Sequence, residues 1–138
     1  MSTDFRDAAK RHMADAESLK ENSWANADHL FGVAAECALK RVMVSLDMAT
    51  HPDGSPRDRG HKVHMPDLWP AFQSFAQGRL ASRYLQPLSP DNLFGGWSIE
   101  QRYSHRATIS QSQADDHHLA ASQCMAVMEM AFLDGGLS

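Results

Sequence analysis

The chain has only two cysteines, Cys37 and Cys124, and each sits among small apolar residues in a helical pattern. That usage excludes a disulfide framework and a CxxC redox pair, and it fits buried thiols in a reducing cytoplasm. Long hydrophobic runs are also missing. The longest apolar stretches are broken by Glu36, Lys40 and Glu129, so none approaches the roughly 18 residues of a transmembrane span. The polar opening around Thr3, Asp4, Arg6 and Asp7 does not read as a secretory signal. Positive charge is scarce: 13 Lys+Arg face 17 Asp+Glu, and a net charge of -4 gives no global pull toward nucleic acid or an anionic membrane. Any polyanion site must be a local patch. No Gly-rich phosphate loop, Ser or Cys nucleophile motif or HExxH is present, so nucleotide hydrolases of the common kinds and hydrolytic triads find no support.

What remains is ordinary globular material. With 138 residues, 43% of them hydrophobic and 22% charged, the chain reads as a single folded domain spanning 1–138. No repeat or low-complexity tract divides it.

Helical periodicity marks three long segments. From about Thr3 to Asn22, Phe5, Ala8, Ala9, His12, Met13, Ala16 and Leu19 form an apolar stripe, with Thr3 or Asp4 as cap. From about Trp24 to Met48 the apolar arc is wide, which predicts a central helix in an antiparallel hairpin with the first. Ser110 and Gln113 form a capping box for a last helix that Gly135-Gly136 close. The middle is irregular. Thr50 to Gly60 holds two prolines and two glycines and reads as loop. A short helix should follow, with Pro66 in its first turn and Leu68, Trp69, Phe72 and Phe75 on its buried side. Gln86 to Gly96 reads as loop again, and Trp97 to Ile109 as extended coil. The expected fold is an all-α bundle with one long, irregular middle.

Three groups of residues invite a functional reading. His29, Gly32, Glu36 and Lys40 recur every three or four residues along the second helix and stack on one face. A buried carboxylate needs a partner, and Lys40 lies one turn from Glu36. This is either an intrahelical ion pair on a surface stripe or a polar seam facing a cleft or a second subunit. The loop from Arg57 to His64 adds Arg59, His61, Lys62 and His64. A histidine and an arginine close together are what metal-independent RNA cleavage needs, with imidazole as base and guanidinium on the phosphate. The commoner reading is a solvated loop. The segment from Trp97 to Arg106, with Arg102, Tyr103 and His105, can stack on a base and contact phosphate, or pack its aromatics on the bundle. A metal site built from His61, His64, Asp115, Asp116 and His117 or His118 lacks any recognised pattern, and adjacent histidines on a helix point about 100° apart. No metal or cofactor is expected.

These segments resemble HEPN domains (the higher eukaryotes and prokaryotes nucleotide-binding family). The first helix, from Arg6 to Leu19, looks like that family's opening helix. Trp24 to Lys40, with small residues around Glu36, is similar to its second. His61 to Leu68 looks like its short histidine-led segment, and Gln101-Arg-Tyr-Ser104 like its Arg-Tyr element before the final helix. The resemblance implies an all-α, up-and-down bundle of four to five helices, commonly a homodimer. It also implies binding of a nucleotide or RNA, with or without ribonuclease activity, or else a non-catalytic interaction module that pairs with a nucleotidyltransferase-type partner and has no ligand of its own. The family's nucleases carry Arg, four to six residues, then His at the start of a late helix. Here that spacing is met in the middle loop, as Arg57 or Arg59 with His64, while the late Arg102 and His105 are too close. A member without the standard nuclease site is therefore expected. Its ligand site would comprise His29, Glu36, Lys40, His61, His64, Arg102 and Tyr103; catalysis, if present, would use Arg57 or Arg59 with His64. A soluble, cytoplasmic chain without membrane attachment completes the expectation.

Overall fold

The computed structural model describes residues 2–79 and 81–135. Four α-helices carry it: α1 Phe5–Leu19, α2 Trp24–Ser45, α3 Leu68–Gly78 and α4 Gln111–Asp134. Short 3₁₀ turns at Ser82–Tyr84, Ile99–Tyr103 and Arg106–Thr108 punctuate the rest. The all-α expectation holds among the described residues. No helix there is long and apolar enough to cross a membrane.

Local chemistry sets the helix ends. Asp4 caps α1 by accepting from the Asp7 amide at 3.0 Å. That helix stops at Leu19 rather than Asn22, because the amides of Asn22 and Ser23 fold back onto the Leu19 carbonyl. α2 ends at Ser45, short of Met48: Asp47 adopts φ 67°, a left-handed conformation that no helix continues through. Pro66 lies outside α3, before the Asp67 cap. The proline in the first turn is instead Pro70, where a missing N–H costs nothing. The Ser110–Gln113 capping box of α4 is present as expected.

α2 is the central helix, packed along α1 on one side and α4 on the other. Ion pairs fix the directions. Arg6 meets Glu129 and Lys20 meets Asp115, so α1 and α4 are antiparallel. α3 starts beside Glu36, where the Met65 amide bonds, and ends where Arg79 Nε reaches the Leu46 carbonyl. It therefore follows α2 instead of reversing it. Small residues, among them Ala9, Ala16, Ala34, Ala38, Ala121 and Cys124, fill the contact between the long helices and let them approach closely. A second, aromatic half of the core gathers Trp69, Phe72, Phe94 and Trp97 beneath the irregular middle. Each such ring contributes about 2–3 kcal/mol on burial.

The segment from Trp97 to Ile109 is not extended. Its two 3₁₀ turns hang between buried anchors, Trp97 and Ile109, and Ser98 with Gln101 forms a capping box at the first. Cys124 is fully buried, while Cys37 is only half-buried; desolvation pushes the Cys37 thiol up to about 11.

Candidate functional site

Two carboxylates on α2, Asp28 and Glu36, lie eight residues apart and are both buried. Eight residues is a little over two turns, so they share one face. Each receives a histidine through Nδ1, and each histidine arrives from elsewhere in the fold.

At Asp28 the histidine is His117 of α4. Oδ1 takes the imidazole and Oδ2 accepts from Gln101 Nε2 at 2.7 Å. Trp97 Nε1 donates to the Asp28 carbonyl at 2.9 Å, and Phe94 stacks on the His117 ring. The side chains of His117 and Asp28 are 6% and 2% exposed, so both are nearly closed to solvent. This pair is a pin that fastens α4 and the middle segment to α2. A shallow pocket of about 270 Å³ opens above it, walled by Ser98, Gln101, Ser104 and Gln113.

Glu36 differs in one respect. Both its oxygens lie 3.1 Å from His64 Nδ1, and Oε1 also accepts from the Met65 amide at 3.0 Å. A carboxylate that accepts from both leaves Nδ1 as the protonated nitrogen. Glu36 is 7% exposed at its side chain but His64 is 57% exposed, and Nε2 has no partner among the described residues. A buried carboxylate orienting an open imidazole is the arrangement of a general base.

The expected Glu36–Lys40 ion pair does not form. Glu36 is taken by the incoming loop, and the largely buried Lys40 side chain makes no ion pair or hydrogen bond among the described residues. Burial holds the Lys40 pKa below its ordinary value, against the opposing pull of Glu36. The surface-stripe reading of this face fails with it, since Glu36 and Lys40 are both buried. Gly32 is part of the same face for a packing reason. A Cβ there would fall 2.0 Å from Cε2 of Trp97, whose ring lies flat on the helix.

His29 stacks on Trp97 with 5.8 Å between centroids, and its buried Nδ1 has no hydrogen-bond partner among the described residues. Burial lowers its pKa and the nearby Arg102 lowers it further. Arg102 and Tyr103 lie exposed on the Ile99–Tyr103 turn, the guanidinium 4.8 Å from the phenol ring. Trp97, in contrast, is buried and unavailable to a base. His12 of α1 also feels the Glu36 charge, although burial and then Arg11 hold its pKa down.

The loop residues divide. His61 turns its ring edge against Phe75 of α3 and does not join the Glu36 pair. Arg57 Nε is bonded to the Thr50 carbonyl at 2.7 Å, across the Thr50–Pro56 bridge. Arg59 is exposed, and the Asp58 carboxylate turns to the Gly60 amide. No group of three histidine, cysteine or acidic side chains able to hold a metal occurs among the described residues. Of the basic-loop residues, His64 alone contacts the α2 carboxylates.

Sequence reasoning passed over Asp28, Gln101, His117 and His12. His12 was hidden inside an apolar stripe, and His117 beside His118 suggested a metal more readily than a carboxylate. One signal was available: of two adjacent helical histidines only one faces the core. His117 is that one, and His118 bonds Glu17 on the surface.

Fold and site together define an α-helical bundle with two carboxylate–histidine pairs along one helix, one sealed and one open. No family model, curated protein or solved structure matches the chain.

Proposed function

We propose that this chain is a HEPN-like helical module that binds a nucleotide or RNA segment along the polar face of α2. The observation that carries the reading is the Glu36–His64 pair, in which a buried carboxylate presents an imidazole with a free Nε2. One turn along α2 stands Lys40, a largely buried side chain that makes no ion pair or hydrogen bond among the described residues. Burying a charge without a partner is costly and is relieved by an anion. Arg102 and Tyr103 add a second cation and an exposed ring suited to phosphate and base. Homodimerisation and a nucleotidyltransferase-type partner rest on the resemblance of the segments described above.

The same pair favours a second reading, metal-independent RNA cleavage. His64 would take the 2′-hydroxyl proton and a loop arginine would hold the phosphate. Arg57 Nε is bonded to the Thr50 carbonyl, whereas Arg59 is exposed and has no such bond among the described residues.

Fluorescence anisotropy with end-labelled RNAs and labelled mononucleotides tests the binding reading. Binding is expected to weaken with salt, and Lys40→Ala and Arg102→Ala to lower affinity about fivefold to tenfold each. Absence of binding to every probe at low salt defeats it. Incubation of the same RNAs in EDTA tests cleavage: loss of product in His64→Ala supports the nuclease, and intact RNA with wild type removes it for those substrates.

A further inference from the structure

Where α1 turns into α2, the chain leaves a second cavity that no residue of the polar face lines. It measures about 670 Å³ and lies between residues 22–26 and 105–111. Pockets of roughly 300–1,000 Å³ enclose small organic ligands. Its composition is unlike that of the chain. The net charge is -4, yet no carboxylate lines this cavity, and its ionisable side chains are His105 and Arg106. Arg106 is exposed and makes no ion pair among the described residues. His105 Nδ1 accepts from the Ala107 amide at 3.0 Å, which leaves Nε2–H as a donor. The apolar wall is Trp24. Its indole N–H is bonded to the Ile109 carbonyl at 2.9 Å, so the ring is fixed in place while 36% of the residue stays exposed. The first turn of α2 opens here as well, since Ser23 makes no side-chain cap. These amides add donors to a site already defined by cavity, ring and cation.

We infer that this cavity binds a small anion carrying an aromatic ring, with the ring against Trp24 and the anionic group on Arg106. Both contacts are of known kind: ring stacking on an indole, and a forked guanidinium pairing with phosphate or carboxylate. The inference does not rest on the α2 site, and different residues report on it.

The tryptophans provide the assay. Trp69 and Trp97 are each 1% exposed, so quenching by a bound ligand reports on Trp24. The intact chain is titrated with 5′-AMP, phenyl phosphate and adenosine. Saturable quenching by either anion is expected with a Kd below about 1 mM, with adenosine much weaker. Arg106→Ala, an exposed change that leaves the fold intact by circular dichroism, should weaken binding about tenfold or more. Lys10→Ala, an exposed change on α1 that does not line the cavity, should leave it unchanged. Equal binding of the two anions assigns the cavity to aryl anions in general, and preference for 5′-AMP assigns it to nucleotides; each supports the inference. It is overturned if neither anion saturates, if adenosine binds as well as 5′-AMP, or if Arg106→Ala binds as tightly as wild type.

Discussion

Identical chemistry serves different ends at Asp28 and Glu36, and the difference lies in how much water reaches each histidine. His117 is sealed, so replacing it with alanine strands the Asp28 charge inside the bundle with only Gln101 to support it. Removing one member of a buried pair typically costs about 3–5 kcal/mol. His64 is more than half exposed, and Glu36 keeps the Met65 amide when the ring is gone. Solvent screening limits that loss to about 1 kcal/mol. Urea denaturation should therefore rank His117→Ala far below His64→Ala in stability. Equal losses would show that the two pairs do the same structural work, and the case for an active role at His64 would lapse. Each partner of the open pair could be named from sequence, but the pairing itself could not. Glu36 and His64 are 28 residues apart, while Lys40 offered a nearer cation on the same helix.

At the scale of elements, the segment between Trp97 and Ile109 depends on a single flat seat. Gly32 provides it, because any side chain there meets the indole at 2.0 Å. Gly32→Ala should expel Trp97, break its bond to the Asp28 carbonyl and lower stability by about 3 kcal/mol, the upper range for overpacking. Chemical denaturation followed by circular dichroism and tryptophan emission measures it; an alanine variant as stable as wild type would place the ring elsewhere. α1, α2 and α4 were legible beforehand because each repeats an apolar stripe over at least four turns, and α1 and α4 also carry their own start signals. This middle segment was not. Its order comes from anchors set by distant partners, with Trp97 69 residues from Asp28 and Ile109 85 from Trp24. No local period announces such contacts, and three-residue turns leave little pattern to read.

For the whole molecule, the lowered pKa values of His12 and His29 set how stability responds to acid. Burial is the main cause for both, with Arg11 and Arg102 adding to it. Near pH 6 the unfolded chain therefore binds more protons than the folded one, and stability rises with pH across that interval. It is highest above the ordinary imidazole value of about 6.5 and declines as pH falls toward the lowered folded values. Lys40 acts in the same sense at the alkaline end, since its buried ammonium gives up its proton before the unfolded one does. The melting temperature should drop between pH 7.5 and 5.5, and a His12→Gln, His29→Gln double variant should flatten the slope. A slope that the double variant leaves intact would assign the response to other groups. The pin between Asp28 and His117 also constrains how the chain comes into being. Those partners are 89 residues apart, and synthesis proceeds at about 5–20 residues per second. For roughly ten seconds on the ribosome, the first hairpin exists with Asp28 lacking its histidine. The nascent α1–α2 pair must stay open or hydrated until α4 emerges, so completion of the fold is timed by the last helix to be made.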